Sequence, residues 1–239
     1  MLRRTVIFAT LGFTAAAVAD PVVFYGMDSG TQNQWASRAS SQAARDAWTA
    51  TITGESSAKS FNFESMGANS AYKASHTLSG LGTVTATNGS AFMRIDKSYN
   101  DASNGFSLDS NKLYFKSSTG GNNRAVQFDF TQALKTFGTF VTGLGTGAQS
   151  KLFATVFYSD NSTSDHTIEG SSQGGILFWG IQAESGKSIL AITFRQDKAG
   201  DSFGFDDIGF AYDVPSPLAV TLGMVSLGTV VTSRRRTTL

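Results

Sequence analysis

Three carboxylates hold the most suggestive chemistry in this chain: Glu64 in SFNFES, and Asp206 and Asp207 in FGFDDIGF. Carboxylates forced together repel one another unless one takes a proton or a cation bridges them. Ca2+ suits that task, accepting carboxylate and carbonyl oxygens at roughly 2.3 to 2.6 Å. Glu64 sits in the first strongly strand-like segment and the Asp pair in the last, and the first and last strands of jelly-roll sandwiches often run side by side. The expectation is a structural Ca2+ shared by Glu64 with Asp206 or Asp207. Strand alternation sends the two Asp side chains to opposite faces, so only one of them can join such a site. Asp207, flanked by Phe205 and Gly209, is favoured. The alternative is that the pair caps a turn or stays solvated. The chain has no cysteine, hence no disulfide, and a bound ion would be one means of bracing it.

Other motifs carry less. GLGTGA (residues 143–148) fits the loose dinucleotide pattern G-x-G-x-x-A, but KLFATVFYS after it reads as strand, so no helix N-terminus would face a pyrophosphate. GSSQG (residues 170–174) spaces Ser172 as a nucleophile elbow does. That motif needs a helix and then a histidine, whereas ILFWG follows and both histidines, His76 and His166, come earlier. Both segments read as turns. Two histidines without cysteine leave no usual zinc cluster, and both, in polar surroundings, read as solvated. The acidic residues are scattered and no pair stands out for glycosidase chemistry. Trp179 in ILFWG and Tyr158 in VFYSDNST are candidate ligand-contacting aromatics, because sugar rings stack their C–H faces on such side chains. Both lie in strand-like runs, where burial in the core is the competing reading.

The elements that must position these residues are mostly strands. SRASSQAARDAWTATITG repeats Ala39, Ala43, Ala47 and Trp48 near helical spacing, with Ser40 or Ser41 as N-cap and Gly54 as stop, which predicts one helix over about 40–52. From Ser60 onward the period drops to two, in short aromatic or β-branched runs parted by Gly, Asn, Asp and Ser. Predicted strands are SFNFES, TLSGLGTVTAT, AFMRID, KLYFKSS, RAVQFDF, FGTFVTG, KLFATVFYS, SDHTIEG, ILFWGIQA, SILAITFRQ and FGFDDIGFAY. This pattern with 25 glycines predicts an all-β, antiparallel β-sandwich of jelly-roll type with one short N-terminal helix. The 19 Phe, 6 Tyr and 3 Trp are enough for one core, since each buried aromatic removes on the order of 150 to 250 Å² from water.

Both ends differ from the middle. MLRRTVIFATLGFTAAAVADP has a basic start, an apolar run and small residues before Asp20, so residues 1–19 are expected to be a secretory signal peptide. Residues 20–59 are expected to form a helical preface, 60–213 the sandwich, and 214–239 a separate C-terminal segment. Residues 20–213 hold 14 Lys/Arg against 18 Asp/Glu, a net charge of −4. Without a dense basic face, nucleic acid and anionic lipid are excluded as partners.

The chain closes with VPSPLAVTLGMVSLGTVVTSRRRTTL. From Val214 to Ser233 no residue is charged, which gives about 20 residues at about 1.5 Å each, enough to cross a hydrocarbon core of roughly 30 Å. Val214, Pro215, Ser216 and Pro217, an apolar run with Gly223 and Gly228, and Arg234, Arg235 and Arg236 together resemble the PEP-CTERM sorting signal of exported bacterial proteins. Ser216 stands where that family usually has glutamate. The resemblance implies a tail that anchors the protein in the inner membrane until an exosortase-type transpeptidase removes it and releases the protein to the cell surface or extracellular matrix. ARDAWTATITG followed by SFNFES, and FGFDDIGF before the tail, are similar to the opening and closing segments of that class. A plain single-pass anchor is the competing reading.

These readings together predict an exported, non-catalytic surface or matrix protein associated with exopolysaccharide. The alternatives are a glycan-active hydrolase and a structural coat protein.

Overall fold

The computed structural model describes residues 20–30, 38–87, 92–97, 105–108, 114–117, 125–145, 151–196 and 202–213. The expected signal peptide and the sorting motif from Val214 to Arg236 lie outside the described residues. The elements in chain order are β1 (Val22–Ser29), α1 (Ala39–Ile52), β2 (Ala58–Phe61), a 3₁₀ turn (Glu64–Met66), β3 (Asn69–Lys73), β4 (Ser75–Leu78), β5 (Gly82–Ala86), β6 (Met93–Asp96), β7 (Tyr114–Ser117), β8 (Ala125–Thr142), β9 (Lys151–Tyr158), β10 (Thr163–Glu169), β11 (Gly175–Gln182), β12 (Ile189–Gln196) and β13 (Phe203–Tyr212). The fold is the antiparallel, jelly-roll-like sandwich that the sequence predicts, with a single α-helix among the described residues.

One strand joins the two layers. RAVQFDF and FGTFVTG, read from sequence as separate strands, are the two halves of β8. Its first half pairs with β12 and β5, and its second half with β11 and β13. One layer is therefore ordered β10-β9-β12-β8-β5-β4, and the other runs β1-β11-β8-β13 and on to β2, β7, β6 and β3. The polar stretch between the halves reads as a break, but Thr131 and Gln132 are exposed simply because β8 passes there from one layer to the other. TLSGLGTVTAT is a hairpin, β4 and β5, with its turn at Ser79–Leu81.

The expected separate preface over 20–59 is not separate. VVFYGMDS forms β1 and pairs along its whole length with β11, from Val22 opposite Gln182 to Ser29 opposite Gly175. Its alternation is weak because one face of β1 lies beneath α1, so exposure does not follow a clean period of two. For the same reason β11 is buried on both faces, by the core inside and α1 outside, and reads as the continuous apolar run GILFWGI.

Between the layers lies an aromatic core. Phe115, Phe128, Phe137, Phe194, Phe205 and Trp179 touch one another, with ring centroids as close as 4.9 Å for Phe194 and Phe205 and 5.4 Å for Phe128 and Phe205. A second cluster, Trp48, Ile52, Phe140 and Phe178, lies between α1 and the outer side of the β11 and β8 strands.

Candidate functional site

β2 and β13 run side by side, with Phe61 opposite Ile208 and Ser60 opposite Gly209. The turn carrying Glu64 follows directly from β2 and lies near enough to Asp206 for its charge to act on that carboxyl. The two aspartates sit in different surroundings. The register of β13 on β8 jumps between Asp206 and Gly209, a bulge that breaks strict alternation. Asp206, rather than the favoured Asp207, turns inward and is 4% exposed.

The Asp206 carboxylate accepts the backbone N–H of Leu108 and that of Asp207, each at 2.9 Å. It thereby fastens the segment around Ser107 and Leu108 to β13. Burial pushes this carboxyl up to about 7; the charges of Asp207 and Glu64 add to the rise, while the two N–H donors oppose it. Asp207 takes the left-handed conformation, φ 47°, which is uncommon for any residue but glycine. It faces Arg45 of α1, with Oδ2 and Nη2 3.9 Å apart. Among the described residues no group of three or more Asp, Glu or His side chains is arranged to hold a metal ion.

Beside this corner a cleft of about 240 Å³ separates α1 from β2 and β13. Its floor is made by Trp48, Ile52, Phe61 and Phe178, and its walls carry Arg45, Thr49, Lys59, Ser60, Asn62 and Asp207. The seat of α1 explains the floor. Phe24, Gly180, Gly138, Gly209 and Ser60 form one register row across β1, β11, β8, β13 and β2. The three central glycines leave a shallow trough, and the Trp48 indole lies in it. A Cβ on Gly138, Gly180 or Gly209 would meet the indole at 2.9, 2.7 or 2.5 Å. At the far end Asp28 of β1 caps the helix, accepting the N–H groups of Ser40 at 3.0 Å and Ser41 at 2.8 Å. Those bonds hold its carboxyl below the usual range despite partial burial, which acts the other way. Ser40 and Ser41, expected as caps, instead supply the capped N–H groups.

Trp179 and Tyr158, the candidate ligand-contacting aromatics, are core residues, 1% and 2% exposed. Even-numbered inner positions of β9 place Tyr158 beside Val156, and double-sided burial of β11 places Trp179 against Phe194. The histidines are not solvated either. His76 is buried on β4 with Nε2 3.3 Å from the carbonyl of Met93, and His166 lies 2.8 Å from Ser164 Oγ, which in turn bonds Tyr158. Desolvation lowers both imidazoles. Of the two motif-like turns, Ser172 of GSSQG is an exposed turn residue between β10 and β11, and GLGTGA is described only as far as Gly145.

A surface that the sequence reading missed lies on the other layer. Asp165, Thr155, Thr193, Gln127, Thr85 and Ser75 form one continuous register row across β10, β9, β12, β8, β5 and β4, on the face away from the core. At roughly 4.8 Å between strands the row is about 24 Å long. Its groups are already ordered: Thr155 donates to Asp165 at 2.6 Å, Thr193 to Gln127 at 3.1 Å, and Gln127 to Asp129 at 2.6 Å. Phe157 is 37% exposed next to it, and the Arg195 guanidinium lies 4.5 Å over the Phe153 ring. A shallow depression of about 260 Å³ is lined by Thr85, Thr87, Gln127 and Asp129. The signal was present as odd-numbered Thr, Gln and Asp in TVTAT, AVQFD and FATVF, but only strand order shows that they form one row.

No protein family matches the chain, and no curated protein matches it. Among solved structures, the K2 cleaved adhesin domain of Lys-gingipain aligns over 66% of this chain and 99% of its own, at 11% identity and a TM-score of 0.43. TmCBM61 in complex with β-1,4-galactotriose aligns over 64% of this chain and 94% of its own, at 13% identity and a TM-score of 0.36. The CBM22-1–GH10 modules of the Clostridium thermocellum endo-1,4-β-D-xylanase 10B, complexed with xylohexaose, align over 65% of this chain but only 28% of that one, at 12% identity and a TM-score of 0.33. Similarity at this level carries no functional information.

Proposed function

We propose that this protein is exported and acts as a non-catalytic polysaccharide-binding module of the cell surface or extracellular matrix. The observation that carries the reading is the outer row from Asp165 to Ser75. A sheet face kept merely soluble usually carries long charged side chains. This row carries four short hydroxyls, one amide and the Asp165 carboxylate, fixed by mutual hydrogen bonds and flanked by Phe153 and Phe157. Fixed polar groups lose little side-chain entropy on binding, and the aromatic rings supply stacking surface. An extended glycan could lie along or across the row and exchange its hydroxyl–water bonds for these groups.

Delivery is part of the proposal. The VPSP motif, apolar run and terminal arginines support transit through the inner membrane and hand-over by an exosortase-type transpeptidase, with the sandwich left at the surface.

The test is co-sedimentation of the purified protein with exopolysaccharide from the producing organism, comparing the parent with a Thr155→Ala/Thr193→Ala/Phe157→Ala variant. Retention of the parent and loss by the variant is the expected result. A parent that stays in solution would move the structural-coat and hydrolase readings ahead. Retention that the variant matches would place binding elsewhere on the molecule.

A further inference from the structure

We infer that the cleft between α1, β2 and β13 is a binding site for one small polyhydroxylated ring, a single sugar unit, gripped at its edge by Arg45 and Asp207. The site lies on the opposite layer from the outer row, so the two readings fail separately.

The chemistry of the lining selects the ligand class. The floor, formed by Trp48, Ile52, Phe61 and Phe178, is apolar and aromatic. The rim offers a carboxylate, a guanidinium, the Lys59 ammonium, an amide on Asn62, and the hydroxyls of Thr49 and Ser60. A ring with C–H groups on one face and hydroxyls around its edge satisfies both zones at once. A purely apolar ligand would desolvate Arg45 and Asp207 and return no hydrogen bond to either, which is costly. Two cations, Arg45 and Lys59, face the single Asp207 carboxylate, so an acidic sugar ring is accepted as well as a neutral one. The volume, about 240 Å³, falls below the roughly 300 to 1,000 Å³ typical of drug-sized ligands, so the occupant is one ring rather than an oligomer.

The backbone around Asp207 supports a binding role independently. The bulge between Asp206 and Gly209 re-aims the chain within an otherwise regular strand, and Asp207 takes a left-handed conformation that glycine would adopt at lower cost. The side chain that this conformation presents makes only a long contact, 3.9 Å, with a guanidinium that is itself well exposed. An exposed ion pair of that geometry is worth about 0 to 1 kcal/mol, too little to account for the placement through stability. Holding a carboxylate at the mouth of the cleft, with a guanidinium opposite, does account for it. Arg45 is oriented from behind, its guanidinium 5.5 Å over the Phe140 ring.

The experiment is a titration of the intact protein with the methyl glycosides of glucose, galactose, mannose and glucuronic acid, read by ligand-observed NMR or calorimetry. At least one of these glycosides should bind saturably in the millimolar range. Asp207→Gly should melt within a few degrees of the parent while binding at least tenfold more weakly. Thr49→Trp, on the exposed side of α1, should block the cleft with both charged residues kept, and give the same loss. Absence of saturable binding by every glycoside would overturn the inference, as would binding that survives both substitutions. The Thr155→Ala/Thr193→Ala/Phe157→Ala variant should bind the glycoside as the parent does.

Discussion

The indole nitrogen of Trp48 donates to the hydroxyl oxygen of Thr136 at 2.8 Å, across 88 residues of chain, and so pins α1 to the middle of β8. Thr136 passes its own proton to the carbonyl of Ile181 at 2.7 Å, which extends the link to β11. Both side chains are buried, so the polar contact also fixes where along the trough the helix sits.

This seat predicts a coupling between Trp48 and the glycines beneath it. Gly138→Ala would place a methyl 2.7 Å from the Phe178 ring and 2.9 Å from the indole, costing about 1 to 3 kcal/mol through overpacking. Trp48→Ala alone should cost about 3 to 5 kcal/mol. In the double variant the methyl enters space the indole has left, so the two penalties should sum to more than the measured total. Urea melts of the four proteins check this, and strict additivity would show that the indole does not rest on Gly138.

Asp206 predicts a pH dependence of stability with an unusual sign. Its carboxyl is pushed up to about 7 in the folded protein, above its ordinary value of 3.8. The folded state therefore holds the proton more tightly than the unfolded chain does. Its contribution is fully present below about pH 4 and is lost as pH rises toward 7, with a span on the order of 4 kcal/mol at about 1.4 kcal/mol per pH unit. The difference in unfolding free energy between the parent and Asp206→Asn, measured from pH 4 to 8, should shift toward the variant as pH rises. A constant difference would refute the assignment.

Asp28 titrates with the opposite sign. Its carboxyl lies below the ordinary value because the Ser40 and Ser41 N–H groups and the Ser41 hydroxyl donate to it. The stability it adds is present above about pH 4 and disappears as pH falls through its folded value. Asp28→Ala should cost about 0.5 to 2 kcal/mol at neutral pH, the range for a lost helix cap. Since α1 forms a wall of the cleft, the same variant should also weaken glycoside binding.

A structural calcium at the Glu64 and Asp207 corner is testable without knowing any ligand. If the ion is present, adding chelator to the purified protein lowers its melting temperature and restoring Ca2+ recovers it. An unchanged melt removes calcium from the account.

Processing of the tail has its own readout. Intact mass of surface material from the producing organism should lack the residues beyond the VPSP motif if the tail is a sorting signal. Full-length protein in every fraction would leave a simple anchor.

Fold class, the position of α1 to within one residue at its start, and most of the strands are legible in the local residue pattern. Periodicity of apolar residues is a local property set by which face must leave water, so it is written in neighbouring residues. The pairing of β2 with β13 sets the Glu64 turn near Asp206, although the first strand of the chain is β1, which pairs with β11 instead. What only the tertiary structure decided were quantities set by distant chain segments. Whether Trp179 and Tyr158 meet solvent depends on what covers their strands, and the facing layer buries them in the core. The bulge at Asp207 inverted the roles of the Asp pair, since one extra residue changes which side chain points inward. The outer row and the glycine trough exist because strands far apart in sequence align in register. Thr85, Gln127, Thr193 and Asp165 are unremarkable where they stand, and become one surface only when β5, β8, β12, β9 and β10 are laid side by side.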